Sequence, residues 1–277
     1  MAEIEDVVAL NFSQSVQFSM PDYRLTLAVP VVTLAALFAE NYEVVEAQMA
    51  RFMYADGDVN VVLEGGSGVG LVTMLIASCG VKAIHALEPQ PMFFKTAVHN
   101  LEINGAAGVH MHRAALGVRD ETADFSVRWL PYASALEGVP SKDIVRETIR
   151  VQVMDVNRAV AEFGANVLHL DIEGGEAEVL MGADLTPINK VVVEMHPHIL
   201  GESTCSYIIH RLAEAGIEPC LVGNSDAFPN RCYVLGCARE PAASRIRAAG
   251  TDTRIINVIT SWDFKKGERG GKAAADE

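Results

Sequence analysis

The sequence predicts an α/β fold in which a mostly parallel sheet carries helices on both faces. Short apolar runs and helical patterns alternate three times between residues 59 and 114, and further apolar runs occupy residues 166–170 and 190–195. This alternation is typical of parallel strands joined by crossover helices, because the crossovers cover the sheet from both sides. The chain has 277 residues, of which 50% are hydrophobic, so it can bury a substantial core.

The N-terminal segment predicts strands and a helix that precede this sheet. VQFSM and YRLTLAV are interpreted as short strands ended by Pro21 and Pro30, and an apolar helical pattern follows them. We assign residues 1–55 to this N-terminal strand and helix cap, which we expect to cover one side of a ligand pocket. Residues 56–264 form the main domain, and the tail at residues 265–277 is expected to be disordered.

A glycine-rich turn joins the first core strand to the helix that follows. The turn contains Glu64, Gly65, Gly66, Ser67, Gly68 and Gly70. A strand, a tight glycine turn and a helix bring backbone N–H groups close to a ligand. A dinucleotide fingerprint would need a small residue at Leu71, and a Walker loop would need Gly-Lys-Ser/Thr. The spacing E-x-G-x-G-x-G is instead similar to the first motif of S-adenosylmethionine (SAM) methyltransferases, and a turn without a ligand is the alternative.

The alternation of apolar runs and helical patterns is interrupted between residues 117 and 150, and we interpret this segment as an insertion between the third and fourth core strands. Two alternating segments, ADFSVRW and ETIRVQVM, predict strands within it, and the stretch between them predicts a loop. After the fifth core strand, a helix is predicted from about residue 206 to residue 214. Further strands are predicted near residues 219–222, 232–237 and 254–259.

Acidic residues end consecutive core strands, which places them at one edge of a parallel sheet, where ligands bind. They are Glu64, Glu88, Asp171 and Glu194, with His196 two residues beyond the last. Glu88, followed by Pro89, lies roughly 20 residues beyond the glycine turn, where an acid binds the ribose hydroxyls of a nucleoside cofactor. Its carboxylate can accept two hydrogen bonds from a 2′,3′-diol. The alternative is a solvated acid before a proline turn.

Asp171, His196 and His169 are the candidate catalytic residues. SAM carries its own leaving group, so the protein must align the methyl group with a nucleophile and help to remove a proton. Asp171 and His196 are placed to face that point, and His169 lies on the same side of an extended strand as Asp171. In the alternative interpretation, Asp171 caps the next helix and His196 is structural. A divalent metal bound by Asp171, Glu173, Glu194 and His196 is less favoured, so we predict no metal.

Composition restricts the compartment and the partners. The formal net charge of −14 argues against a broad surface for nucleic acid or anionic membranes. The five cysteines form no C-x-x-C pair, which is typical of free thiols in a reducing compartment. The acidic N-terminus lacks a signal-peptide pattern, and the longest apolar stretch, residues 25–38, is too short to span a bilayer. We therefore expect a cytoplasmic protein with a small-molecule acceptor and no nucleic-acid or membrane partner, and a homo-oligomer stays open.

Five blocks of sequence resemble the FkbM family of SAM-dependent methyltransferases over roughly residues 42–198. They are VVLEGGSGVGLVTMLIA, HALEPQPMFFKTAVHNLEIN, RAALG, NVLHLDIEGGEAEVLMGA and VVVEMHP. The resemblance implies a Rossmann-like class I methyltransferase fold, usually with seven strands of which the last is antiparallel. It also implies SAM as the cofactor and O-methylation of a hydroxyl on a small molecule or sugar-containing metabolite. A non-catalytic SAM-binding protein, an N-methyltransferase and a nicotinamide-dependent reductase are the alternatives.

The resemblance also assigns individual residues to the site. The glycine turn falls on the SAM loop and Glu88 on the ribose acid, whereas Ala115 falls near the adenine and Glu43 borders the cofactor. Asp171 and Glu173 match the family's K-I-D-x-E-G block. His196 matches its E-x-H-P block.

Two positions depart from the family pattern. The turn reads Glu-Gly-Gly-Ser-Gly where the family usually has Asp-x-Gly-Ala-Asn, and we expect SAM binding to persist because the acid and glycines remain. His169 replaces the lysine before Ile-Asp. Because that position lies beside the expected reaction centre, the replacement bears on acceptor choice and on activity.

Overall fold

The computed structural model describes residues 15–20, 23–28, 44–54, 57–129, 133–139, 144–224, 232–249 and 256–258. The predictions for Glu43, for the first part of the cap helix and for the tail at residues 265–277 lie outside these residues. Within them, no helix has the length and hydropathy that crossing a bilayer requires.

The described elements follow one another in an alternating order. The strands are β1 (Ser15–Met20), β2 (Tyr23–Ala28), β3 (Val61–Gly65), β4 (Ala83–Leu87), β5 (Val109–His112), β6 (Ala115–Gly117), β7 (Glu121–Arg128), β8 (Ala135–Leu136), β9 (Val145–Asp155), β10 (Val167–Leu170), β11 (Lys190–Met195), β12 (Glu218–Asn224), β13 (Tyr233–Ala238) and β14 (Ile256–Val258). The helices are α1 (Val44–Tyr54), α2 (Leu71–Ser78), α3 (Pro91–Ile103), α4 (Val156–Phe163), α5 (Glu176–Gly182), α6 (Pro197–Leu200), α7 (Glu202–Glu214) and α8 (Ala242–Ala249).

The main sheet has the strand order β5-β4-β3-β10-β11-β13-β12-β14. The five strands from β5 to β11 are parallel to their neighbours, which confirms the predicted parallel core. β13 is antiparallel to β11 and to β12, so the chain's seventh core strand is reversed, as the family resemblance implies. The short β14 pairs with β12 and adds an eighth strand to the seven expected ones. The carboxyl ends of β3, β4, β10 and β11 therefore meet at one edge.

Helices cover both faces of this sheet because successive strand residues point to opposite sides. Leu168 and Leu170 of β10 pack in one apolar cluster with α4, α5 and α7. Val167, the residue before Leu168, points to the opposite face and packs in the other cluster with α1, α2 and α8. Valine-rich strands such as β11 suit this position because both of their faces are buried.

The segment between β5 and β10 forms a second sheet with the order β6-β9-β7-β8. It includes the region that the sequence marks as an insertion. β6 and β9 are parallel, with Ala115 opposite Val153, so the chain enters and leaves this sheet through adjacent strands. The apolar side chains of Phe125, Val127 and Val151 form its separate core.

Local sequence signals set the ends of the helices next to the site. At α3, Pro91 occupies the first turn and the Gln90 side chain accepts hydrogen bonds from the backbone N–H groups of Met92 and Phe93. At α4, the Asp155 carboxylate accepts from the N–H of Arg158 at 2.8 Å. These caps satisfy donors that a helix N-terminus leaves unpaired.

Candidate active site

The glycine turn is held closed by its own backbone and by the end of β4. The N–H groups of Gly66 and Ser67 both donate to the carbonyl of Leu87, at 3.0 and 3.1 Å. The N–H of Gly68 donates to Oε2 of Glu88 at 2.9 Å. The turn is therefore pre-formed, and its conformation depends on the acid that ends the neighbouring strand.

Two glycines of the turn are needed because other backbone approaches closely. Gly66 has a φ of +84°, and a Cβ built on it would lie 1.7 Å from the backbone oxygen of Asp171. Gly70, with a φ of +82°, faces the backbone and side chain of Ala97 in α3 at 3.2 Å. Side chains at these two positions would clash with the end of β10 and with α3, respectively. The glycines thus let the turn lie directly against the strand that carries Asp171.

Glu88 is buried at the carboxyl end of β4, with both carboxylate oxygens engaged. Oε2 accepts from Gly68 N at 2.9 Å and Oε1 accepts from Gln90 N at 2.8 Å. Each oxygen has a second lone-pair site, so the carboxylate keeps capacity for ligand hydroxyls. Burial raises the pKa of Glu88 to about 8, although both backbone hydrogen bonds oppose the rise. Pro89, which follows, is also buried.

Glu64 is buried beneath the glycine turn and is not exposed to solvent. Its Oε2 accepts a hydrogen bond from the Thr73 hydroxyl of α2 at 2.7 Å, and 1% of the residue is exposed. Burial raises its pKa to about 7, and the nearby Asp171 contributes to the rise. Beside it, the buried hydroxyl of Ser67 has no hydrogen-bond partner among the described residues. A buried hydroxyl of this kind fits a polar ligand atom next to the turn.

Asp171 and Glu194 form a hydrogen-bonded carboxyl pair across the ends of β10 and β11. Burial raises the pKa of both groups. The charge of Asp171 adds to the rise at Glu194, and the charge of Glu176 adds to the rise at Asp171. One of the two carboxyl groups must carry the proton of this hydrogen bond, because two ionised carboxylates have no donor between them. The other oxygen of Asp171, Oδ1, is buried and has no hydrogen-bond partner among the described residues. It is therefore available to a ligand.

His196 lies among carboxylates at the end of β11. Its Nδ1 is 3.2 Å from Oε1 of Glu176, and its Nε2 is 3.6 Å from Oε2 of Glu173 and 3.8 Å from Oε2 of Glu194. Burial alone would lower the pKa of His196, but its contacts with Cys232, Glu176 and Glu194 raise it well above the ordinary value. The carboxylates around His196 therefore favour the protonated form of its imidazole.

The loop from β10 to α5 curls around the carboxylate of Glu176. That carboxylate accepts hydrogen bonds from the N–H groups of Ile172 and Gly174, and the residue is fully buried. Between these donors, Glu173 has a φ of +54°. Positive φ is uncommon for a residue with a side chain and is a feature of functional loops. The loop thus presents the Glu173 carboxylate toward His196.

The second sheet approaches the same loop. Arg128, at the end of β7, is buried and donates to the carbonyls of Ala133 and Val139, at 2.6 and 3.1 Å. Its positive charge acts against the rise in the pKa of Glu173, which burial brings to about 8. A Cβ on Gly174 would lie 2.8 Å from the Val139 side chain. The insertion therefore supplies one wall next to the Asp171 edge.

His169 faces the α1 side of β10, the same side as Glu64 opposite it in β3. Its Nδ1 is 2.9 Å from the Tyr54 hydroxyl of α1, and burial lowers its pKa to about 4. The ring is therefore neutral near pH 7. The partner of His169 is therefore Tyr54 of α1. A catalytic role for His169 stays a prediction.

Ala115 begins β6, next to the end of the third core strand. Its side chain is buried in the core of the second sheet with Phe125 and Val153. Contact of Ala115 with an adenine stays a prediction, and Glu43 lies outside the described residues.

Four residues of this region were missed by the sequence reasoning. They are Glu46, Tyr54, Arg128 and Glu176. Glu176 had a signal, because it closes the block LDIEGGE. Glu46 lies in the predicted cap helix, and burial together with Asp171 raises its pKa to about 7. Tyr54 and Arg128 had no local signal, since their roles depend on how α1 and β7 pack against the sheet.

The arrangement fits a cationic nucleoside. Glu88 can receive ribose hydroxyls, and the buried Ser67 hydroxyl and Asp171 Oδ1 offer unpaired polar atoms on either side of the turn. Burial raises the pKa of Glu46, Glu64 and Glu88 because several carboxyl groups share one poorly solvated region. A sulfonium or ammonium group would lower these pKa values by stabilising the ionised carboxylates.

The strand order, the reversed seventh strand and the glycine turn after β3 are those of the Rossmann-like class I methyltransferase fold. The chain belongs to the family of the methyltransferase FkbM domain, whose model matches residues 65–218. A relative in the fungus Beauveria bassiana (strain ARSEF 2860), named Methyltransferase 1, is 30% identical over 165 residues. This match covers 50% of the chain and 65% of the relative, which is slightly under two thirds of the relative's length.

Two solved structures are similar to most of this chain at low sequence identity. Magnesium protoporphyrin IX methyltransferase (ChlM) from Synechocystis PCC 6803, with bound SAM, is 14% identical with a TM-score of 0.45, over 76% of this chain and 85% of that one. TYW2 from P. horikoshii, in complex with MeSAdo, is 12% identical with a TM-score of 0.44, over 89% and 72%.

Proposed function

We propose that this protein transfers the methyl group of SAM to a hydroxyl group of a small molecule or a sugar-containing metabolite. The observation that carries this proposal is the buried, unpartnered Oδ1 of Asp171 beside the glycine turn. The N–H of Asp171 donates to the carbonyl of Gly65 at 3.0 Å, so the acid is fixed relative to the turn. A carboxylate held there is well placed to accept a proton from a hydroxyl next to the bound cofactor.

In this proposal, the turn and Glu88 bind the nucleoside part of SAM. Glu88 would accept the ribose hydroxyls, and Ala115 would lie near the adenine. Glu64 would act indirectly, because its carboxylate is engaged by Thr73 of α2. The acidic surroundings would favour the cationic cofactor and would release the neutral product, S-adenosylhomocysteine, more readily.

The transfer itself needs alignment and one proton acceptor. Bound SAM would supply the methyl group and the sulfur leaving group. As a lone pair of the acceptor oxygen bonds to the methyl carbon, the S–CH₃ bonding pair would remain on sulfur. Asp171 takes the hydroxyl proton, and its hydrogen bond with Glu194 holds the Asp171 carboxyl group in place. His196 lies between Glu173 and Glu194 and would orient the acceptor. Positioned proton acceptors of this kind contribute about 10²–10⁴-fold to rates.

Isothermal titration calorimetry with SAM tests the cofactor, and mass spectrometry of host extract incubated with labelled SAM tests the acceptor. We expect SAM binding and transfer of the label to an oxygen. Asp171→Asn should keep SAM affinity within about tenfold and reduce transfer by at least about 100-fold. Asp124→Asn, an exposed β7 residue paired with Arg150, is the control and should leave both unchanged.

Three outcomes would contradict the proposal. Absence of SAM binding would remove the cofactor, and label on nitrogen would make the protein an N-methyltransferase. SAM binding without transfer to any alcohol, sugar or amine would indicate a non-catalytic SAM-binding protein.

A further inference from the structure

Asp171, Glu173 and His196 bring three ligand atoms into one small volume. One oxygen from each carboxylate and one ring nitrogen of the histidine lie within 4.8 Å of one another. Ligand atoms at about 2.1 Å from a common ion are themselves about 3–4 Å apart, so only small side-chain shifts separate this set from a coordination sphere. The three residues come from the ends of two adjacent strands, which fixes their backbone positions.

The orientation of the imidazole fits metal coordination. Nδ1 of His196 is 3.2 Å from Oε1 of Glu176, and Glu176 is itself fixed by backbone N–H groups of the β10–α5 loop. Nδ1 has no hydrogen bond of good geometry among the described residues, so Glu176 acts on the ring as a nearby charge rather than as a hydrogen-bond acceptor. Here the other nitrogen, Nε2, faces the carboxylates of Glu173 and Glu194 at 3.6 and 3.8 Å.

A second observation is independent of that histidine. Oδ1 of Asp171 is buried and has no hydrogen-bond partner among the described residues. An isolated buried carboxylate oxygen is costly, and a cation would satisfy it directly. The sequence alone could not reveal this feature, because it depends on how β10, β11 and the loop between β10 and α5 pack.

We propose that Asp171, Glu173 and His196 bind one divalent cation of the Mg²⁺ and Mn²⁺ class. Two carboxylates and one imidazole suit such an ion, with remaining positions open to water or ligand oxygens. The Glu176 carboxylate lies on the Nδ1 side of the imidazole, at 3.2 Å. The site's role, though not its existence, rests on the proposed function: with the cation bound, Asp171 would act as a ligand instead of taking the proton itself, and the cation would coordinate the acceptor's hydroxyl and lower its pKa so that the proton passes to solvent.

An overlapping set favours a different metal. Glu194, His196 and Cys232 also place their ligand atoms within 4.8 Å of one another. A thiolate would select a softer ion such as Zn²⁺. The unsatisfied oxygen of Asp171 favours the oxygen-rich set, and Cys232→Ser separates the two.

Electron paramagnetic resonance of Mn²⁺ tests the site without any acceptor. The full-length protein is stripped of metal with a chelator and titrated with Mn²⁺, and the free-ion signal reports binding. We expect one site per chain, with affinity weakened at least about tenfold in Asp171→Asn and in Glu173→Gln. Cys232→Ser should bind normally. Glu214→Gln, which removes a carboxylate 2.9 Å from the exposed His210, is the matched control and should also bind normally.

Each other result overturns the inference. Failure to bind millimolar Mn²⁺, or equal affinity in the wild type and Glu173→Gln, would remove the site. Loss of binding in Cys232→Ser would assign the metal to the overlapping set. SAM calorimetry on the same samples is independent of Mn²⁺, so a protein that binds SAM but not Mn²⁺ keeps the proposed function without the metal.

Discussion

Gly66→Ala should damage the site far more than Gly80→Ala, although both glycines have nearly the same backbone conformation. Their φ angles are +84° and +79°, so the strain of a left-handed alanine, about 1–2 kcal/mol, is common to both. A Cβ at Gly66 would lie 1.7 Å from the backbone oxygen of Asp171, whereas nothing lies within 4 Å of one at Gly80. Because the obstacle is backbone, no side-chain rotation relieves it.

Relief at Gly66 requires the turn to separate from the end of β10. That movement stretches the hydrogen bond from Asp171 N to the Gly65 carbonyl, or the one from Gly66 N to the Leu87 carbonyl, each 3.0 Å long. A buried group left without its partner costs about 1–3 kcal/mol. With one or two such groups lost, Gly66→Ala should be about 1–6 kcal/mol less stable than Gly80→Ala.

Urea unfolding followed by far-UV circular dichroism measures this difference, with equal m values as the check that both variants unfold alike. Calorimetry with SAM on the folded fraction should show weaker binding only for Gly66→Ala. If the two variants are equally stable within about 1 kcal/mol, the close approach of the turn to β10 is wrong.

Three further predictions concern the buried polar groups. Glu88→Gln should weaken SAM binding by about 10–100-fold, since a neutral amide cannot accept from both backbone N–H groups, and exposed Glu102→Gln should not. The folded-state pKa of Glu88, about 8, exceeds its unfolded value of 4.5. Its stabilising contribution is therefore complete below about pH 4.5 and is lost as pH rises through 8, so urea unfolding from pH 6 to 9 should show a shallower decline in Glu88→Gln. Tyr54→Phe should cost about 1–3 kcal/mol in urea unfolding because it leaves Nδ1 of His169 buried without its 2.9 Å partner, whereas Tyr207→Phe, an exposed change, should cost less than about 0.5 kcal/mol.

The parallel core was predictable because its signals are local. The apolar runs of β3, β4, β10 and β11, and the acids that end them, are visible in the sequence, and parallel strands bring such ends together. The closeness of Asp171 and Glu194 follows from the same rule, because β10 and β11 are neighbours. The chain's reversed seventh strand was expected only from the family resemblance.

Contacts that depend on packing were not predictable. Tyr54 and His169 are 115 positions apart, and nothing near either residue indicates the other. The parallel pairing of β6 with β9 likewise joins segments separated by an entire hairpin. The helix α8 was missed although Ala242, Ala243 and Ile246 have helical spacing, because the segment is short and polar elsewhere.

The adjacency of β6 and β9 has a consequence for how such proteins diversify. The first and last strands of the second sheet, β6 and β9, are hydrogen-bonded neighbours, so the two ends of this segment lie side by side with Ala115 opposite Val153. Changes in the length or sequence of the segment between β6 and β9 would leave that pairing intact, and the glycine turn, where we propose that the nucleoside binds, belongs to other strands. Selection for a new methyl acceptor could thus reshape the wall at Arg128 while the cofactor end of the molecule stays as it is.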